Sequence, residues 1–112
     1  MLKITFTQRG KILSLRLEGH AGYAEDGKDI VCASASILAY TVAQFVTEAE
    51  HNGDLASPST IQLERGDTII TCEPTEDIFL GMQEMYLFAK MGYALLEHNY
   101  PRNVKLIIDV EA

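Results

Sequence analysis

Two residues in the N-terminal third could together activate a thiol. His20 lies in a stretch punctuated by Gly19, Gly22 and Gly27, and Cys32 follows twelve residues later, after Asp29-Ile30-Val31. Asp29 reads as a helix N-cap, because a short acidic side chain can accept N–H groups that a helix start leaves unpaired. That cap puts Cys32 at the third helical position, inside the first turn. A cysteine there is favoured as a thiolate, since the helix N-terminus carries partial positive charge and free N–H donors. A nearby histidine can take the thiol proton. The same N–H groups can later hold an oxyanion. Ser36 lies one turn beyond Cys32 on the same face, and Ala39 and Ala43 continue that face with small side chains. This is the minimal equipment of a cysteine nucleophile with a histidine base.

Plainer readings stand beside it. A lone cysteine on an apolar helix is usually a small buried hydrophobe, and Cys72 is read that way, in the strand phase of Ile70. His20 alone would pass as a hydrogen-bonded loop residue. Asp29 is a cap before it is a partner for His20. His51 and His98 fall near helix ends, where solvation or the helix dipole accounts for them. A zinc site from His20, Cys32 and Cys72 has no CxxC or HxxxH pair behind it, so neither a metal nor a cofactor is expected. The glycines match no phosphate loop, because no Gly-Lys-Ser/Thr ending follows.

The elements that must position these residues follow from periodicity. Leu2, Ile4 and Phe6 alternate with Lys3, Thr5 and Thr7, and Leu13, Leu15 and Leu17 alternate with Ser14, Arg16 and Glu18. These are two half-buried strands joined by a turn at Gln8-Arg9-Gly10-Lys11. Gly19 to Lys28 keeps no period and reads as a mobile loop. Val31, Ala35, Leu38, Val42, Phe45, Val46 and Ala49 recur at helical spacing, ending near His51-Asn52-Gly53. Ile61–Leu63 and Thr68–Cys72 form a second hairpin about Arg65-Gly66-Asp67. Thr75, followed by Glu76 and Asp77, reads as the start of a second helix. One stripe of that helix holds Ile78, Phe79, Met82, Met85, Tyr86, Ala89, Tyr93 and Leu96. A second holds Leu80, Leu87, Met91 and Leu95, and it needs cover from water, so a homodimer is expected. Pro101 ends the helix, and Val104 to Val110 alternate as a last strand. The class is α+β: a two-layer ββαββαβ fold, one mostly antiparallel sheet with two helices on one face.

The bulk numbers agree with a single domain over residues 1–112, 47% hydrophobic and 22% charged. The net charge is −7 with nine basic residues and no Lys/Arg cluster, which argues against direct nucleic-acid binding and suits a basic partner. Two cysteines make no disulfide framework, so a reducing cytoplasm is expected. Lys3, Thr5, Thr7 and Gln8 interrupt any signal-peptide pattern. No 18-residue run reads as uniformly apolar, so no membrane span is expected.

Gly19-His20-Ala21, Tyr23-Ala24, Gly27, Asp29-Ile30-Val31-Cys32-Ala33 and then Ser36 resemble the signature of the bacterial ribosomal-processing cysteine proteases. The length and element order resemble that family over the whole chain. The resemblance implies a cysteine endopeptidase that removes the N-terminal extension of a large-subunit ribosomal protein, whose matured end lies near the peptidyl-transferase centre. It implies Cys32 as nucleophile and His20 as general base, with Asp29 and Ser36 in support. Gly19, Gly22, Tyr23 and Gly27 would belong to a loop that orders over the peptide, and His20 would stand apart from Cys32 until it does. The family's homodimeric habit agrees with the second helix. One departure is Ala35, where a larger aliphatic such as Val is expected; it bears on packing and on no catalytic atom. Two other classes remain open. One is a non-catalytic module that binds and shields a ribosomal protein. The other is a thiol redox protein using Cys32, with Cys72 as the sole candidate for a resolving thiol.

Overall fold

The computed structural model describes residues 1–111, in the order β1 (Leu2–Arg9), β2 (Ile12–Gly19), α1 (Ile30–His51), β3 (Thr60–Glu64), β4 (Asp67–Cys72), α2 (Phe79–Asn99) and β5 (Val104–Glu111). The expected ββαββαβ order and α+β class are what the molecule adopts. The strands form one sheet in the order β3-β4-β2-β1-β5. Three pairings are antiparallel, and β5 joins β1 in parallel, so the sheet is mixed. The β1–β2 hairpin closes over two residues, with Arg9 opposite Ile12 and Gly10 at positive φ. Glycine at the first central position is what a two-residue turn of this hand requires.

Alternation decides which face is buried. Leu2, Ile4, Phe6, Leu13, Leu15, Leu17, Ile70, Cys72 and Val104 point to one face and are buried under the helices. Register aligns them in cross-strand pairs: Ile4 with Leu17, Phe6 with Leu15, Leu15 with Ile70 and Leu13 with Cys72. The open face carries Lys3, Thr5, Ser14, Arg16 and Thr71, with the Ser14 and Thr71 hydroxyls 2.8 Å apart.

Helix α1 lays Val31, Ala35, Ala39, Val42, Ala43, Val46 and Ala49 on the sheet. It ends at Gly53 with positive φ, where the amides of Gly53 and Asp54 return to the carbonyls of Glu50 and Ala49. This is a Schellman closure, and it satisfies carbonyls that the last turn leaves unpaired. By length and composition α1 could cross a membrane, which corrects the expectation of no such segment; in this fold one side of it belongs to the core. Helix α2 begins at Phe79 and not at Thr75. Thr75 opens a turn instead, its carbonyl accepting the Ile78 amide, and Ile78 caps the helix without a side-chain bond. Glu76 and Asp77 thus lie before the first helical turn. Within α2, Met82, Tyr86, Ala89 and Tyr93 are buried, and Phe6 meets the rings of Tyr86 and Tyr93 at 6.2 and 5.8 Å. The Tyr93 hydroxyl donates to the carbonyl of Ala35 at 3.0 Å, so the space beside the small Ala35 side chain is bounded by a large aromatic of α2.

Candidate active site

Asp29 builds the site. One of its carboxylate oxygens accepts the amides of Val31 (3.0 Å) and Cys32 (2.9 Å), which is the expected N-cap. The other oxygen accepts the amides of Tyr23 (2.9 Å) and Ala24 (3.3 Å), a role the sequence did not suggest. A single carboxylate thus fixes the helix start and ties the preceding loop to it. Burial on its own would raise this carboxyl, but the N–H donors of Cys32, Ala24, Tyr23 and Val31 together hold it below the ordinary carboxylate range.

Cys32 is half-buried at the third position of α1, as its distance from the cap requires. Its Sγ accepts the amide of Ala21 at 3.3 Å. That bond brings the segment just after His20 against the sulfur. Ala21 is buried, and its carbonyl accepts Nδ2 of Asn103 at 2.9 Å. Tyr23 packs edge-on against Tyr100, ring centroids 5.2 Å apart. The short connection between α2 and β5 therefore supports the loop from behind.

A cleft of about 550 Å³ opens above these residues. Its walls include Gly19, His20, Gly22, Gly27, Asp29, Cys32 and Ser36, together with Tyr40 and the β3–β4 turn from Glu64 to Thr68. Of the eight residues that the resemblance assigns to the site and its loop, Tyr23 stands outside the wall, held to the cleft through its amide on Asp29, and Ala39 and Ala43, expected to continue the Cys32 face, are buried in the core. His20 and Cys32 face the same cleft, and no hydrogen bond joins them among the described residues. The His20 imidazole packs over Gly66 instead: a Cβ built on Gly66 would lie 3.0 Å from His20 Nε2. The backbone reinforces this approach, since the Gly19 amide donates to the Gly66 carbonyl at 2.9 Å. Gly66 is needed twice, for its positive φ and for the room it leaves the ring. Arg65 forms an ion pair with Asp26, a second link between turn and loop.

The site holds residues that the sequence reading passed over. Gly66 and Arg65 read there only as a hairpin turn, and Asn103 and Tyr100 carried no signal beyond the helix stop at Pro101. Cys72 lies elsewhere, buried on β4 with its Sγ 3.7 Å from the Tyr86 hydroxyl. Among the described residues no three His, Cys, Asp or Glu side chains are grouped to hold a metal ion. A thiol at a helix start, with an N–H on its sulfur and a histidine on the same cleft, suits nucleophilic attack on a carbonyl.

A model of the cysteine protease Prp family matches residues 1–105, and the chain belongs to that family of cysteine proteases. The fold is similar to that of the ribosomal processing protease Prp from S. aureus in complex with a covalently linked product peptide, at 20% identity and a TM-score of 0.75. That match covers 97% of this chain and 100% of the other. The same S. aureus protease in complex with a substrate peptide matches at 18% identity and a TM-score of 0.68, over 97% and 100% of the two chains. SMU.848 from Streptococcus mutans is similar at 28% identity and a TM-score of 0.69, over 99% of this chain and 96% of that one. No curated protein matches the chain.

Proposed function

We propose that this cysteine protease removes the N-terminal extension of a large-subunit ribosomal protein, with Cys32 as nucleophile and His20 as general base. The observation that carries the reading is Cys32 at the third position of α1, its sulfur facing a cleft that His20 shares. The Cys32 thiolate attacks the scissile carbonyl, and the protonated His20 ring then gives its proton to the leaving amine. Water activated by His20 releases the acyl group. The amides of Val31, Cys32 and Ala33, expected to hold the oxyanion, already donate to Asp29, so the helix start favours the developing negative charge through its dipole and not through these donors. Ser36, one turn further on, supports the substrate side of the cleft.

The packing of His20 over Gly66 supports a step of loop closure before chemistry. Peptide entering the cleft displaces the ring from Gly66 and brings it to the sulfur, while Gly19, Gly22 and Gly27 absorb the change. Ribosomal processing is the activity named for the S. aureus relative of the same fold. A basic precursor suits this cleft, where Asp26, Asp29, Glu64 and Asp67 outnumber Lys28 and Arg65. A redox role is disfavoured, because Cys72 is buried against Tyr86 and cannot serve as a resolving thiol without unfolding. The test is incubation with N-terminally extended ribosomal precursor peptides followed by mass spectrometry. Cleavage of one precursor at one position is expected. No cleavage of any precursor, by protein whose Cys32 still alkylates, would overturn the reading.

A further inference from the structure

We infer that Asn103 is a positioning residue for Cys32, acting through the peptide unit of Ala21. The connection is a chain of two hydrogen bonds. Asn103 Nδ2 donates to the Ala21 carbonyl at 2.9 Å, and the Ala21 amide donates to Cys32 Sγ at 3.3 Å. Asn103 is itself fixed, since its backbone carbonyl accepts the Leu2 amide at 2.8 Å, at the entry to the parallel β1–β5 pair. The sheet thus holds the asparagine, the asparagine holds the Ala21 carbonyl, and the amide beside it is aimed at the sulfur. Ala21 is 2% exposed, in contrast with its exposed neighbours His20 and Gly22, so this peptide unit is anchored in the interior where the chain on either side of it lies at the surface.

The consequence is electrostatic. An N–H donor on sulfur favours the thiolate over the thiol, because the charged form is the better acceptor. The donor helps only while its direction is kept, and residues 20–28 are a glycine-containing segment with no helix or strand of its own. Asn103 supplies that direction from an element 82 residues away in sequence. It does so without touching substrate, which is why it is a positioning and not a catalytic residue. The inference rests on Cys32 as the working thiol. It does not depend on which peptide is cut.

The test is the pH profile of Cys32 alkylation by iodoacetamide in Asn103→Ala and Asn103→Asp. The second variant is nearly isosteric and, once ionised, has no proton to donate. Both should move the midpoint of the profile to higher pH and slow alkylation near pH 6 by roughly five- to tenfold, less than the loss of a whole bond to a charged acceptor, because the Ala21 amide stays in place and only its direction is relaxed. The plateau at high pH should not fall. Val46→Ala, a buried change in the C-terminal half of α1, serves as the control for general loosening and should leave the midpoint in place. An unmoved midpoint in both Asn103 variants, or an equal shift in Val46→Ala, would overturn the inference. Because the readout is alkylation and not cleavage, that failure is distinct from failure of the proposed substrate.

Discussion

Asp29 does two jobs with two oxygens, and its charge matters to both. The folded protein holds this carboxyl below its ordinary range, so the ionised form favours folding. That contribution is present at neutral pH and is lost as pH falls through the folded-state value. Asp29→Ala should therefore cost about 1 kcal/mol at pH 7, the usual worth of a helix cap, and should cost less in acid. Thermal melts at pH 7 and at about pH 2, below the ordinary carboxylate value of 3.8, check this; a difference independent of pH would mean that the carboxylate charge is irrelevant. The two thiols should part just as clearly. Burial pushes the Cys72 thiol up, and the Tyr86 hydroxyl offsets this only in part. Cys32 faces the cleft. Iodoacetamide should label Cys32 in the native state and reach Cys72 only on unfolding, as peptide mapping would show.

The elements themselves were largely legible. Strict alternation at Leu2–Phe6 and Leu13–Leu17 leaves one solution, because a slip by one residue would turn every leucine to water. Asp29 and Gly53 mark the ends of α1 by local chemistry alone. Thr75 misled because a threonine followed by two acids is also a good isolated turn, and tertiary context chose the turn. The partners of the loop were illegible for a different reason. The Asn103–Ala21 bond spans 82 residues and the Gly19–Gly66 bond spans the β2–β4 pairing, and neither leaves a periodic trace. Helix α2 offers a test of packing against propensity. A Cβ on Gly81 meets nothing within 4 Å, whereas one on Gly92 lies 2.8 Å from Leu38 Cδ1 of α1. Gly81→Ala should stabilise the fold by about 0.5–1 kcal/mol. Gly92→Val should destabilise it by ~1–3 kcal/mol through overpacking. Urea melts should separate the two in sign.

At the scale of the molecule, α2 turns a second apolar stripe outward. Leu80, Met91 and Leu95 are each more than 60% exposed, and Leu87 and Phe88 lie beside them. Such a stripe calls for a partner surface, and we propose a second copy of the chain. Light scattering at micromolar concentration should give about twice the 12.4 kDa chain mass, and Leu87→Glu with Met91→Glu should halve it without lowering the melting temperature of the monomer. A strict monomer at that concentration would mean that the stripe meets no second chain. The net charge of −7 has its own consequence: cleavage of a basic precursor should weaken between ~50 and ~300 mM salt, as screening shortens the reach of the acidic cleft. The central claim is that one thiol and one imidazole do the chemistry. Its most direct test is cleavage of an N-terminally extended ribosomal precursor by the parent protein, by Cys32→Ala and by His20→Ala, read by mass spectrometry. Each variant should fold, with stability changed by less than ~1–2 kcal/mol, and each should yield no product where the parent gives one defined cut. Product from folded Cys32→Ala would contradict the account.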